Sequence, residues 1–126
     1  MIKVTRLYHV EVVRFDNSRL QALVADLGDA GADRVISRAM EEIAVRLSRI
    51  EAAYDAGALD RVGKGARSLV AIADQTGLAS VRDAAGAVAS LSTSHDSTAL
   101  AACVARLIRV GETSLVTVWD AHGISL

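Results

Sequence analysis

The chain has 126 residues, with no proline, one cysteine, 52% apolar but only 3% aromatic side chains, and 14 basic against 15 acidic residues for a formal net charge of −1. A chain of this length forms one domain that buries roughly two-thirds of its unfolded surface, enough for a core without metal or disulfide staples. The charge balance leaves no basic footprint for nucleic acid and no excess positive charge for a membrane-surface helix, and no stretch reaches the ~18–20 uninterrupted apolar residues of a bilayer span.

The first residues, MIKVTRLYHVEVV, interrupt their apolar positions with Lys3, Arg6, His9 and Glu11 and lack the apolar block of a secretory signal. Cys103 has no second cysteine to pair with, which suits a reducing compartment, and a cytoplasmic protein is the expectation. Proline costs about 3 kcal/mol inside a helix whereas alanine is the best helix former, so a proline-free, alanine-rich chain reads as all-α.

Residues 1–14 have strand-like composition in Ile2, Val4, Tyr8, Val10 and Val12, but one strand has nothing to pair with, so they read as an arm packed on the helices. A short helix holding Leu20, Leu23, Val24 and Leu27 follows, capped by Asp16, Asn17 or Ser18. Ile36, Met40, Ile43, Leu47, Ile50 and Tyr54 then advance by alternating steps of four and three, one stripe of a helix that opens at Asp29 or Ala30 and closes at Gly57. Leu59, Val62, Ala66, Leu69 and Ala73 form the next stripe, ending before Thr76 and Gly77. Gly63 and Gly65 lie off it and weaken the helix by up to ~1 kcal/mol each. Leu78, Val81, Ala85, Val88 and Leu91 mark a shorter helix. The Ser/Thr-rich connection 92–98 ends in good N-cap residues, and Leu100, Val104, Leu107, Gly111, Leu115 and Val118 mark a last helix of about six turns. Short connections make neighbours antiparallel, so residues 15–120 are expected to form an up-and-down four-helix bundle with a short extra N-terminal helix, and 121–126 a tail.

The usual catalytic constellations are missing: no glycine-rich phosphate loop, CxxC pair, HExxH segment or GxSxG elbow occurs, so neither an enzyme nor a bound cofactor or metal is expected. None of the three histidines has a carboxylate three residues before it on a core stripe, as a di-iron bundle requires. Glu41 and Glu42 fall outside the Met40/Ile43 stripe and read as a solvated face. Cys103 reads as a small buried apolar side chain, and His95 as an exposed polar residue beside Asp96.

The segment from Ala66 to Val88 places Ala66, Leu69, Ala73, Gly77, Val81, Ala85 and Val88 in the register of AHxLKGxAxxLG and the apolar positions that follow it. In this it resembles the histidine phosphotransfer (Hpt) domain family, and Phe15-Asp16, the Leu27-Gly28 break and the Ala56-Gly57-Ala58 turn fit the family layout over residues 15–119. The functional positions depart from it: Arg67 stands where the phosphoaccepting histidine belongs, with Val70 and Ala71 in place of the lysine and glycine that follow. A guanidinium stays protonated and is no nucleophile, so relay through position 67 is excluded.

The resemblance implies a signalling protein of a two-component phosphorelay that docks a response-regulator receiver domain or a histidine kinase without itself accepting phosphate. Its docking face would hold Asp60, Gly63, Lys64, Arg67, Val70, Ala71 and Asp74, where small residues let a partner helix approach and Arg67 meets an acidic pocket. Two other readings compete: a structural bundle that forms a homodimer through its Ala/Gly-rich faces, and a relay protein using His9 or His95 instead.

Overall fold

The computed structural model describes residues 12–122, and it is helical: α1 (Asn17–Asp55), α2 (Leu59–Gln75), α3 (Ala79–Leu91) and α4 (Ser97–His122), with no strand among the described residues. α1 packs on α2 and α4, and α3 packs on the same two. The stripes counted in the sequence supply the core. Met40, Ile43 and Ile50 of α1, Val62 and Leu69 of α2, Val81 and Val88 of α3, and Leu107 of α4 are all at most 1% exposed, and Val110, outside the counted stripe, joins them at 2%. Burying side chains of this size contributes about 1.5–3 kcal/mol each. No helix among the described residues is long and apolar enough to cross a membrane.

Local chemistry ends the helices where the glycines stand. Gly57 has φ +71° and Gly77 φ +73°, the left-handed region that a Cβ disfavours. Around each, the chain closes a Schellman motif: Ala58 N donates to Ala53 O (2.9 Å) and Gly57 N to Tyr54 O (3.0 Å), then Leu78 N to Ala73 O (2.9 Å) and Gly77 N to Asp74 O (3.4 Å). Leu78, directly after the second motif, is buried in the core. Asp96 caps α4 by accepting from Ala99 N at 2.9 Å.

α1 leaves helical geometry at Gly28 (φ +73°, ψ 173°) and so has two helical arms, the first starting at Asn17; Asp16 caps it, accepting from Arg19 N. Three expectations need correction. Only Leu20 and Leu23 of that arm pack against the core, while Val24 and Leu27 are 42% and 49% exposed. Leu59, read as the first core position of α2, is 41% exposed, and the stripe begins at Val62. Gly63 and Gly65 are not idle positions off the stripe: a Cβ on Gly63 would stand 2.6 Å from Ser92 Oγ, and one on Gly65 would stand 2.8 Å from Ile50 Cγ1. Their missing side chains set how closely α2 approaches its neighbours. Gly111 does the same for α4, lying directly against Leu47 of α1.

Of the N-terminal arm, residues 1–11 lie outside the described residues, as do 123–126 of the tail; α4 continues through His122. Residues 12–16 run along the α2–α3 turn. Arg14 N donates to Ser80 Oγ (2.6 Å), Ser80 N returns a bond to Arg14 O (3.2 Å), and Asp16 N donates to Gly77 O (2.7 Å). Gly77 is therefore constrained twice, because a Cβ there would also stand 2.8 Å from Asp16 O.

Candidate docking face on α2

α2 buries Val62, Ala66, Leu69 and Ala73, so at 100° per residue the opposite side must carry Asp60, Lys64, Arg67 and Ala71. All four are exposed, and they follow one another by steps of four, three and four along a single line of the helix. Arg67 stands near the middle of that line. Among the described residues no carboxylate pairs with Lys64 or Arg67, which leaves two free cations one turn apart. A planar guanidinium in this position offers five N–H donors and cannot act as a base or nucleophile.

The other three expected site residues turn toward α3. Val70 is half-buried on that flank. Gly63 is buried beneath Ser92, with the Arg67 guanidinium folded back over it, so it shapes the face without being open to a partner. Asp74 is held by ion pairs, accepting from Arg19 (3.3 Å) and Arg82 (3.4 Å). Arg82 also reaches Asp83 (3.2 Å), and Arg14 closes the chain of charges on Asp83 at 2.7 Å. The hydrogen bond from Arg14 holds the Asp83 carboxyl below the usual carboxylate range, with Arg82 adding to the effect against a partial desolvation. The bond to Asp83 likewise pushes the Arg82 guanidinium further up. Asp74 thus belongs to a charge cluster that fastens residues 14–19 to the α2–α3 turn.

On the other flank of α2, Leu23, Val35, Ala39 and Ile72 floor a shallow apolar groove between α2 and both arms of α1, rimmed by Arg19, Arg38 and Glu42. On the α3 flank, Ser92 and Thr93 come up beside Gly63 and Arg67 across a small cleft. Sequence reading missed these two hydroxyl residues, since nothing local ties the α3–α4 connection to the first turns of α2. It also missed Arg14, Arg19 and Arg82, whose partners lie on other elements.

The remaining candidates lie elsewhere. His95 is exposed in the α3–α4 connection and His9 falls outside the described residues. Cys103 is half-buried against the core edge, less enclosed than its sequence position suggests. Glu41 and Glu42 are exposed, and Glu42 pairs with Arg46 one turn on at 2.9 Å. No group of three or more histidine, cysteine or carboxylate side chains among the described residues is placed to hold a metal. No family model matches the chain, and neither a curated protein nor a solved structure shows a significant match to it.

Proposed function

We propose that the protein is a degenerate Hpt-like bundle that docks a receiver or kinase domain of a two-component system through the outer face of α2, and carries no phosphate there. The observation that carries this reading is the position of Arg67: exposed, unpaired and mid-helix, with Lys64 and Ala71 one turn to either side. That is where a phosphoaccepting imidazole would need to stand to meet an aspartyl phosphate in line, and a permanent cation there attracts the same acidic pocket without reacting. Two further features support it. The positive-φ glycines 28, 57 and 77 fall at the breaks of the family layout. Each helix packs on two others, as in an up-and-down bundle with α1's first arm as the extra N-terminal helix.

Titration of the protein with receiver domains from its own cell, phosphorylated and unphosphorylated, tests this reading. At least one receiver should bind at micromolar concentration, Arg67→Glu should abolish that binding, and no phosphate should pass to the chain. Transfer of phosphate to the wild-type chain, or full receiver affinity in the folded Arg67→Glu variant, would overturn it. A homodimer built on the Ala/Gly-rich faces would show instead as self-association without receiver binding.

A further inference from the structure

Seven large apolar side chains stand open among the described residues, and four of them, Val24, Leu27, Val35 and Val45, belong to α1. Val24 and Leu27 precede the break at Gly28, whereas Val35 and Val45 share the second arm and are 39% and 45% exposed. Between the two valines come Arg38 and Glu42, both exposed. Positions 35, 38, 42 and 45 advance by three, four and three, the spacing of a helix–helix seam. Ile36, Met40, Ile43, Leu47 and Ile50 already hold α1 against α2 and α4, so this outer stripe is a second seam that no described element covers.

The stripe is its own complement. Turned end for end about a two-fold axis level with residue 40, it sets Val35 of one copy against Val45 of the other and Arg38 against Glu42, and symmetry makes each contact twice. A parallel pairing would instead stack Arg38 on Arg38 and Glu42 on Glu42. The charges favour the antiparallel choice. Among the described residues Arg38 has no ion-pair partner, and Glu42, which accepts from Arg46 at 2.9 Å, keeps its side chain 48% exposed. A carboxylate can serve a second guanidinium, as Asp74 does between Arg19 and Arg82. Val35 also belongs to the apolar floor beside Leu23, Ala39 and Ile72, so a valine arriving over it meets α2 and both arms of α1. An unrelated partner would have to carry this spacing with its charges reversed, whereas a second copy carries it by construction.

We propose that the protein forms an antiparallel homodimer through this stripe of α1, Val35 packing on Val45 and Arg38 pairing with Glu42 across the two-fold axis. Val35 and Val45 are only ~15 Å apart along the helix, so the interface belongs to the small, transient class and the dimer is concentration-dependent. It goes beyond receiver docking and uses none of the residues of the α2 face, so either reading can fail without the other.

Sedimentation velocity of the full chain, from micromolar to millimolar concentration at low ionic strength, should show a reversible monomer–dimer equilibrium. Arg38→Glu and Glu42→Arg should each weaken the dimer by about tenfold, because each places like charges together twice. The double exchange of Arg38→Glu with Glu42→Arg should restore it. Arg109→Glu, which reverses an exposed charge on α4, is the control and should dimerise like the wild type. Circular dichroism establishes that each variant is folded. The register has its own readout: in a Cys103→Ser background, a mixture of Val35→Cys and Val45→Cys chains should oxidise to the mixed disulfide in preference to either self-linked product. A wild-type chain that stays monomeric at millimolar concentration, a folded double exchange that recovers no affinity, an equal loss in Arg109→Glu, or a predominance of self-linked disulfides would each overturn the proposal.

Discussion

Gly65 of α2 faces Ile50 of α1 so closely that a Cβ at position 65 would stand 2.8 Å from Ile50 Cγ1, and Ile50 is 1% exposed with no room to retreat. Alanine at this position gains up to ~1 kcal/mol of helix propensity but overpacks a β-branched side chain, at about 1–3 kcal/mol. Overpacking wins, so Gly65→Ala should lower stability by about 1 kcal/mol in urea unfolding. In an Ile50→Ala background the same change should become neutral or stabilising, and a cost that persists there would show that the contact is not its cause.

The opposite sign is expected at Gly86 in α3, where a Cβ would meet nothing within 4 Å. With no packing term to oppose it, Gly86→Ala should raise stability by about 0.5–1 kcal/mol. Equilibrium unfolding of the single variant decides this, and a loss of stability would contradict the open space seen beside it.

Ser80 is 3% exposed and its hydroxyl is the acceptor for Arg14 N at 2.6 Å. Ser80→Ala leaves that N–H without its partner and should cost about 1–3 kcal/mol. Amide hydrogen exchange should also speed up at Arg14 and Asp16 before it does in the α1 core, since the substitution loosens residues 12–16 first.

Asp83 gives the same fastening a pH dependence. Its carboxyl is held below the ordinary range chiefly by the hydrogen bond from Arg14, so the folded state binds fewer protons there than the unfolded state does. The resulting stability is complete above the usual carboxylate pKa of about 4 and is lost as pH falls through the lowered value. Both side chains are substantially exposed, so the pair contributes only about 0.2–1 kcal/mol and less at high salt. Urea unfolding between neutral pH and pH ~3, at low ionic strength, should show a shallower acid loss in Asp83→Asn than in the wild type. Equal slopes would mean the carboxyl is not held down in solution.

If position 67 occupies the register of a phosphoaccepting histidine, the chemistry should be recoverable. The combined variant Arg67→His, Val70→Lys and Ala71→Gly should accept phosphate from a phosphorylated receiver, giving an acid-labile adduct, because the imidazole would then stand exposed and mid-helix. A folded variant that docks a receiver but takes no phosphate would count against that register.

The helices themselves were legible because their signals are local. Stripes such as Ile36, Met40, Ile43, Leu47 and Ile50 repeat within one turn, and glycine at 57 and 77 supplies a backbone angle that other residues resist, so sequence alone determined where α1 and α2 stop and which sides they bury. It also determined that Arg67, opposite Val62 and Leu69, faces outward. Only the tertiary structure decided what sits beside that arginine. Gly63 and Gly65 look like weak helix positions until Ser92 and Ile50 are brought against them, and Asp74 looks like an open anion until Arg19, 55 residues away, and Arg82 close on it. The cleft of Lys64, Arg67 and Thr93 depends on α3 ending beside the start of α2, a relation between chain segments that no local spacing encodes. Periodicity fixes which way a side chain points along its own helix, whereas close approach between helices depends on the shapes of both partners at once.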